Sequence, residues 1–464
     1  MISKGPINRL SCLLQLGVLL LTGAAAHSAE IPESVKNIVR ERVEAGKTIG
    51  MVIGVVDTEG ISYFGYGKTA ASSDRVPNKD TVFEIGSITK VFTAILLADA
   101  VKRGEVNYDD TIDVHLPKDV EVRVKNGIPI TLENLSVQNS GLPRMPSNFR
   151  PTDPTNPYAD YTIEDMYKAL SRMRMRRDAG ESYEYSNLGV GLLGHLLSRA
   201  SDQSYEELIL NRIADPLGMS DSKITLSKGM QERLAKGHAD GKEVANWDLP
   251  TFAGAGALRS TAQDMILFLQ ANTGLHDTPL LATMRETHAP KAEAGSEFME
   301  IGLGWHVLTS KEGPMITWHN GGTGGYRCFA GFVHDPPIGV VVLTNSGGAG
   351  DDDIGFHLLN DTIPMAGAIK RTEVTIDSSI LKRYVGKYQL RSDLPSMILD
   401  ISLRGNQLLA QLTGQEQFPV FPKSETSFFF KIVDAQLEFE TDNNSVTAVI
   451  LHQGGQVIKA KRIQ

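Results

Sequence analysis

Phe83-Glu84-Ile85-Gly86-Ser87-Ile88-Thr89-Lys90-Val91-Phe92-Thr93-Ala94 is the stretch on which the reading of this 464-residue chain turns. A glycine turn hands Ser87 to the first turn of a helix, and Lys90, three residues on, falls on the same face. Backbone N–H groups at a helix start are unpaired and sit at the positive end of the helix dipole. They therefore favour the negative charge that develops when a hydroxyl attacks a carbonyl. The lysine lowers the cost of that charge as an ammonium, or accepts the hydroxyl proton as a free amine. S-x-x-K occurs at Ser87/Lys90, Ser220/Lys223 and Ser379/Lys382, but only the first runs into a long apolar segment, Val91 to Val101, stopped by Arg103-Gly104. A helix apolar all round is buried, and a lysine in its first turn then needs a partner. The bland alternative is a capping serine with a snorkelling lysine.

The bulk composition bounds the rest. At ~150 residues per domain the length suggests two or three units. The net charge of -9 comes without any basic block, so nucleic acid is not the expected partner and a small molecule is. Lys4 and Arg9 precede an apolar run from Leu10 to Leu21 and then Gly23-Ala24-Ala25-Ala26, the pattern of a signal peptide over residues 1–29 cleaved near Ala26 or Ala29. Export is expected, to the periplasm in a Gram-negative cell. Cys12 lies in the removed run, leaving Cys328 alone and no internal disulfide. No later run approaches the ~18 apolar residues of a transmembrane segment.

Along the chain, an amphipathic helix from Val35 to Ala45 precedes two strands, Gly50 to Val56 and Ile61 to Gly67, joined by Asp57-Thr58-Glu59-Gly60. Residues 109–161, rich in Pro, Asn and Asp, read as loops and small helices forming one wall of a cleft. Helices are expected at Ile163 to Met173, Leu188 to Ala200, Tyr205 to Ile213 (ending before Asp215-Pro216) and from Ser260-Thr261 through Ala271. Trp305 to Leu308, Met315 to Trp318, Cys328 to Val333 and Gly339 to Leu343 read as successive antiparallel strands. Strands at both ends and helices between them imply an α+β domain over residues 30–365 whose sheet joins its two ends. A connector, 366–375, leads to short alternating runs over 376–464, a small all-β unit.

Acyl transfer by serine needs a nucleophile, a proton acceptor, an oxyanion donor pair and a wall for the substrate. Tyr185-Ser186-Asn187, the only Y-x-N in the chain, stands before a helix, so Tyr185 can point a phenol into the cleft while Asn187 offers an amide to a substrate carbonyl. A phenol titrates near ~10 and serves as a base only if a cation such as Lys90 holds it partly ionised. His319-Asn320-Gly321-Gly322 follows a strand, and its glycines allow a substrate backbone close approach and can present an N–H to the oxyanion. His319 titrates near ~6.5 unless shifted and would then attract a carboxylate in a pH-dependent way. The eleven histidines are scattered with no metal-ligand spacing, so no metal and no cofactor is expected.

Ser87-Ile88-Thr89-Lys90, Tyr185-Ser186-Asn187 and His319-Asn320-Gly321 together resemble the three-motif pattern of the class C β-lactamase and penicillin-binding protein superfamily of serine hydrolases. Intervening stretches are similar to that family too: Thr131 to Pro143, Asp215 to Met219, Ala253 to Gly256 and Gly302 to Trp305. The resemblance implies a β-lactamase/transpeptidase-like antiparallel sheet with a helical layer, Ser87 as acylated nucleophile, Lys90 and Tyr185 as the proton-handling pair, and the N–H groups of Ser87 and Gly322 as oxyanion hole. The tail from Leu381 is similar to lipocalin-like barrels appended to some members. The implied activity is hydrolysis of a β-lactam, a D-amino-acid peptide or an ester. The alternatives are a penicillin-binding sensor with slow deacylation and a family VIII-like carboxylesterase. Two departures stand out: His319 replaces the lysine of Lys-Thr-Gly, and Val137-Gln138-Asn139 replaces Thr-His-Thr before Ser140-Gly141-Leu142-Pro143.

Overall fold

Met51, Ile53 and Val55 alternate with Val52, Gly54 and Val56 along one strand, and every one of its residues is buried. An apolar run of this kind needs cover on both faces. The computed structural model describes residues 29–296, 298–309, 313–348, 351–366, 373–390, 398–413, 417–430, 435–442, 445–453 and 456–463. In it this strand lies inside an eight-stranded antiparallel sheet. Numbered in chain order, the strands are β1 (Gly50–Val56), β2 (Ile61–Gly67), β3 (Ala292–Ser296), β4 (Met299–Ile301), β5 (His306–Leu308), β6 (Ile316–Gly322), β7 (Arg327–His334) and β8 (Pro337–Thr344). Their spatial order is β2-β1-β8-β7-β6-β5-β4-β3, and the pairing of Met51 with Thr344 through Val56 with Gly339 joins the two ends of the domain, as expected. The β3–β4 hairpin carries no strong alternation and is a feature the sequence did not announce.

The two faces of the sheet have separate cores. Met51, Ile53 and Val55 pack with Val35 and Val39 of the helix Glu33–Glu44 and with Ile354 of the helix Asp352–Leu359. Val52 and Val56 face the larger core, built on the helices Thr89–Lys102 and Ala262–Thr273. Gly54 is where the second of these helices comes close: a side-chain carbon there would lie 2.9 Å from Ile266. Thr261 accepts the N–H of Asp264, the cap its spacing predicts.

One helix differs from its expected end. Tyr205–Ile209, opened by a Ser204/Glu207 capping box, does not stop before Asp215-Pro216. It widens into a π turn at Leu210–Ala214 and continues to Leu217, closed by Gly218 at φ 70°. Pro216 brings no N–H to an ordinary helical ladder, and a wide turn ahead of it absorbs the mismatch.

Eight further strands, from Gly386–Gln389 to Gln456–Arg462, form a closed barrel in which each pairs with the next and the last with the first. Tyr388, Ile401, Val420, Phe428, Leu437 and Val449 fill its interior, in a core with no member in common with those of the sheet domain. The signal-peptide segment and much of the connector lie outside the described residues. Among the described residues no helix is long and apolar enough to cross a membrane.

Candidate active site

Gly86 has φ 50°, a left-handed conformation that costs glycine least, and with Ser87 and Ile88 it forms a short 3-10 turn ahead of the helix that begins at Thr89. Ser87 thus sits one turn before the α-helix rather than in its first turn. Lys90 is 1% exposed, its Nζ 2.9 Å from Ser87 Oγ and donating to the Ala255 carbonyl at 2.6 Å. Burial, with the Arg144 charge second, drives its pKa well below the ordinary lysine value. The other two S-x-x-K pairs lie elsewhere: Ser220 is exposed after the Gly218 turn, and Ser379 and Lys382 are exposed on the short helix preceding the barrel.

Tyr185 lies by Ser87, and its ring has Lys90 Nζ at 4.9 Å and the Arg144 guanidinium at 5.0 Å. Burial nevertheless pushes the phenol up to about 12, outweighing the opposing influence of Ser87 and Arg144. This corrects the expectation that a cationic Lys90 holds Tyr185 partly ionised. Desolvation favours the amine form of the lysine and leaves the tyrosine a phenol.

The departure at Gln138 has a visible role. Its backbone is left-handed at φ 59°, its side-chain oxygen accepts the N–H of Ser186 at 2.7 Å, and its carbonyl accepts the N–H of Glu184 at 2.7 Å. Ser186 in turn caps the helix Asn187–Ser201 and donates to the Pro143 carbonyl at 2.7 Å. The Tyr185-Ser186-Asn187 segment is therefore bolted to the loop 138–144 on both sides. Asn187 faces the cleft beside Ser87.

β6 brings the third motif alongside. Gly321 is buried: a side-chain carbon on it would collide with the Ile85 carbonyl and approach the Ser87 nitrogen to 3.2 Å. The close approach this glycine permits is that of the chain's own Ser87 turn, not of a substrate backbone. Gly322 lines the cleft. His319 is 1% exposed, with Nδ1 2.5 Å from the Asn320 carbonyl and Nε2 without a hydrogen-bond partner among the described residues. Burial first, then His306 and Lys90, hold its pKa well below 6.5. The expected pH-dependent cation at His319 is thus corrected: a fully enclosed imidazole beside another histidine and a lysine stays neutral.

Residues the sequence did not single out complete the cleft. Tyr158, Trp247 and Phe252 form an aromatic wall, with the Tyr158 ring 5.2 Å from Trp247 and 5.9 Å from Phe252. Glu84, next to the nucleophile turn, accepts the Trp247 N–H at 3.0 Å and so ties that wall to Ser87. His306 meets the Tyr183 hydroxyl at 2.9 Å and lies 5.1 Å, ring to ring, from His319. Only the loop character of residues 109–161 hinted at any of this, because an aromatic residue in a loop reads the same whether it packs or lines a cleft. Among the described residues no group of three or more His, Cys, Asp or Glu side chains could hold a metal ion.

With this geometry in view, comparison with known proteins gives consistent matches. The family described as Beta-lactamase matches residues 35–362, and a domain of unknown function, DUF3471, matches residues 370–462. The chain is 29% identical over 340 residues to the D-alanyl-D-alanine-carboxypeptidase/endopeptidase AmpH of Escherichia coli (strain K12), covering 69% of this chain and 87% of that protein. It is 26% identical over 436 residues to penicillin-binding protein 4* of Bacillus subtilis (strain 168), covering 86% and 91%. An octameric penicillin-binding protein homologue from Pyrococcus abyssi shares the fold with a TM-score of 0.63 at 22% identity, covering 92% of this chain and 99% of that one.

Proposed function

The chain belongs to the Beta-lactamase family of serine hydrolases, and on that premise we propose that it is an exported acyl-transfer enzyme in which Ser87 is acylated by a β-lactam or by a peptide ending in D-alanyl-D-alanine. The observation that carries this reading is the 2.9 Å separation of Lys90 Nζ and Ser87 Oγ in a buried setting that favours the uncharged amine. Ser87 Oγ attacks the substrate carbonyl while its proton passes to Lys90, and the oxyanion that forms is met by the N–H groups of Ser87 and Gly322. Tyr185, a phenol at neutral pH, gives its proton to the leaving nitrogen as the C–N bond breaks and is reprotonated from Lys90. Water then cleaves the acyl-enzyme by the same steps in reverse. Asn187 orients the acyl group. The names of the relatives, a D-alanyl-D-alanine carboxypeptidase and a penicillin-binding protein, support the substrate class.

A second reading, carboxylesterase activity, draws on the aromatic wall and on a neutral imidazole where Lys-Thr-Gly would supply a charge. The test is a panel of a chromogenic cephalosporin, a short nitrophenyl ester and a D-Ala-D-Ala peptide on purified protein, followed by a fluorescent-penicillin chase. Label that leaves within minutes supports a hydrolase, whereas label that persists supports a sensor. Ser87→Ala should abolish labelling and lower turnover by on the order of 10⁴-fold. Full activity in Ser87→Ala, with loss in Ser220→Ala or Ser379→Ala, would overturn the assignment.

A further inference from the structure

We propose that Arg144 selects substrates that carry a negative charge on the leaving group, an inference that rests on the acyl-transfer reading above. Arg144 follows Ser140-Gly141-Leu142-Pro143, and its position is set by the backbone: its carbonyl accepts the N–H groups of Asn187 at 3.0 Å and Leu188 at 3.2 Å. The guanidinium carbon lies 5.0 Å from the centre of the Tyr185 ring, on the exposed side of the site. Among the described residues this guanidinium has no carboxylate or other hydrogen-bond partner. Its charge is nevertheless felt inward, at Lys90, Tyr183 and Tyr185.

Three other arginines of the surrounding segments are engaged. Arg177 pairs with Glu184, Arg259 with Glu84 and Asp248, and Arg327 donates to the carbonyls of Thr323 and Tyr326. Lys90 and His319 are enclosed, and burial disfavours a charge on both. Among the described residues Arg144 is therefore a planar cation without a charge partner, held over the ring of the tyrosine whose hydroxyl protonates the leaving group. A guanidinium in that place matches a carboxylate with two parallel N–H donors. This role differs from anything His319 could do, because Arg144 approaches from the loop wall that carries Asn187 and not from β6.

The experiment uses two thioesters with one common acyl group, one releasing thioglycolate, which bears a carboxylate, and the other releasing its methyl ester, which does not. The ratio of their kcat/KM values is measured for the wild type, Arg144→Gln and Arg144→Lys. Because Arg144 is exposed, the variants keep the fold, which a melting curve verifies. Loss of charge-assisted hydrogen bonds should lower the ratio about tenfold or more in Arg144→Gln, with part of it restored in Arg144→Lys. The wild-type ratio should also fall with added salt. A ratio unchanged in Arg144→Gln, with both thioesters still hydrolysed, overturns the proposal and leaves Arg144 as a residue that holds Tyr185 in place. Failure of the wild type to hydrolyse either thioester or to acylate Ser87 overturns the acyl-transfer reading itself.

Discussion

A side-chain carbon on Gly86 would lie 2.7 Å from the backbone nitrogen of Gly322. The residue before the nucleophile and the residue after the third motif thus touch backbone to backbone, although 236 positions separate them (322 − 86). Gly86→Ala meets both a left-handed φ and this contact, so it should destabilise the protein by about 2 kcal/mol or more. It should also lower acylation further, because relief of the clash moves Ser87 relative to Gly322. Melting temperature and the rate of penicillin labelling measure the two effects. A variant that melts and labels like the wild type would show that the backbone contact is not needed.

Lys90 makes stability depend on pH in a known direction. Its folded pKa lies well below the unfolded value of 10.5, so between those two values the unfolded chain binds one proton more. Stability therefore rises with pH in that window, by up to about 1.4 kcal/mol per unit from this group. Lys90→Met lacks the term. Relative to this variant, the wild type should gain stability from pH 7 to pH 9 while remaining the only one of the two that is acylated. Parallel stability curves for the two proteins would mean that Lys90 is charged in the fold.

His319 is neutral and enclosed, so the preference between a carboxylate-bearing substrate and its neutral counterpart should stay constant from about pH 6 to about pH 8. His319→Lys places an ammonium beside Lys90 and His306 and should cost several kcal/mol of stability. A preference for the anion that falls as pH rises through this range would restore the charged role and contradict the burial argument.

The barrel has its own core, and the residues filling it are not shared with the sheet domain. A chain ending at residue 366 should accordingly melt cooperatively and still be labelled at Ser87. Loss of any cooperative transition would mean that the barrel completes the fold of the hydrolase domain.

The pairing of β1 with β2 and the cap at Thr261 were legible because each depends on residues a few positions apart. The β3–β4 hairpin and the π turn before Pro216 were not, because weak alternation and a stretched helix leave little trace in residue type.

The sequence alone determined which side chains could do acyl-transfer chemistry and in what order they occur, since nucleophile, amine, phenol and imidazole are properties of residue type. Their protonation states were decided by tertiary structure. Enclosure in the core favours the amine of Lys90 and leaves Tyr185 a phenol and His319 a neutral ring, while Arg144 stands exposed over the Tyr185 ring. The physical reason is desolvation: the cost of a charge depends on what surrounds it, and the neighbours of Lys90 include Tyr185, Ala255 and His306, which come from segments distant along the chain.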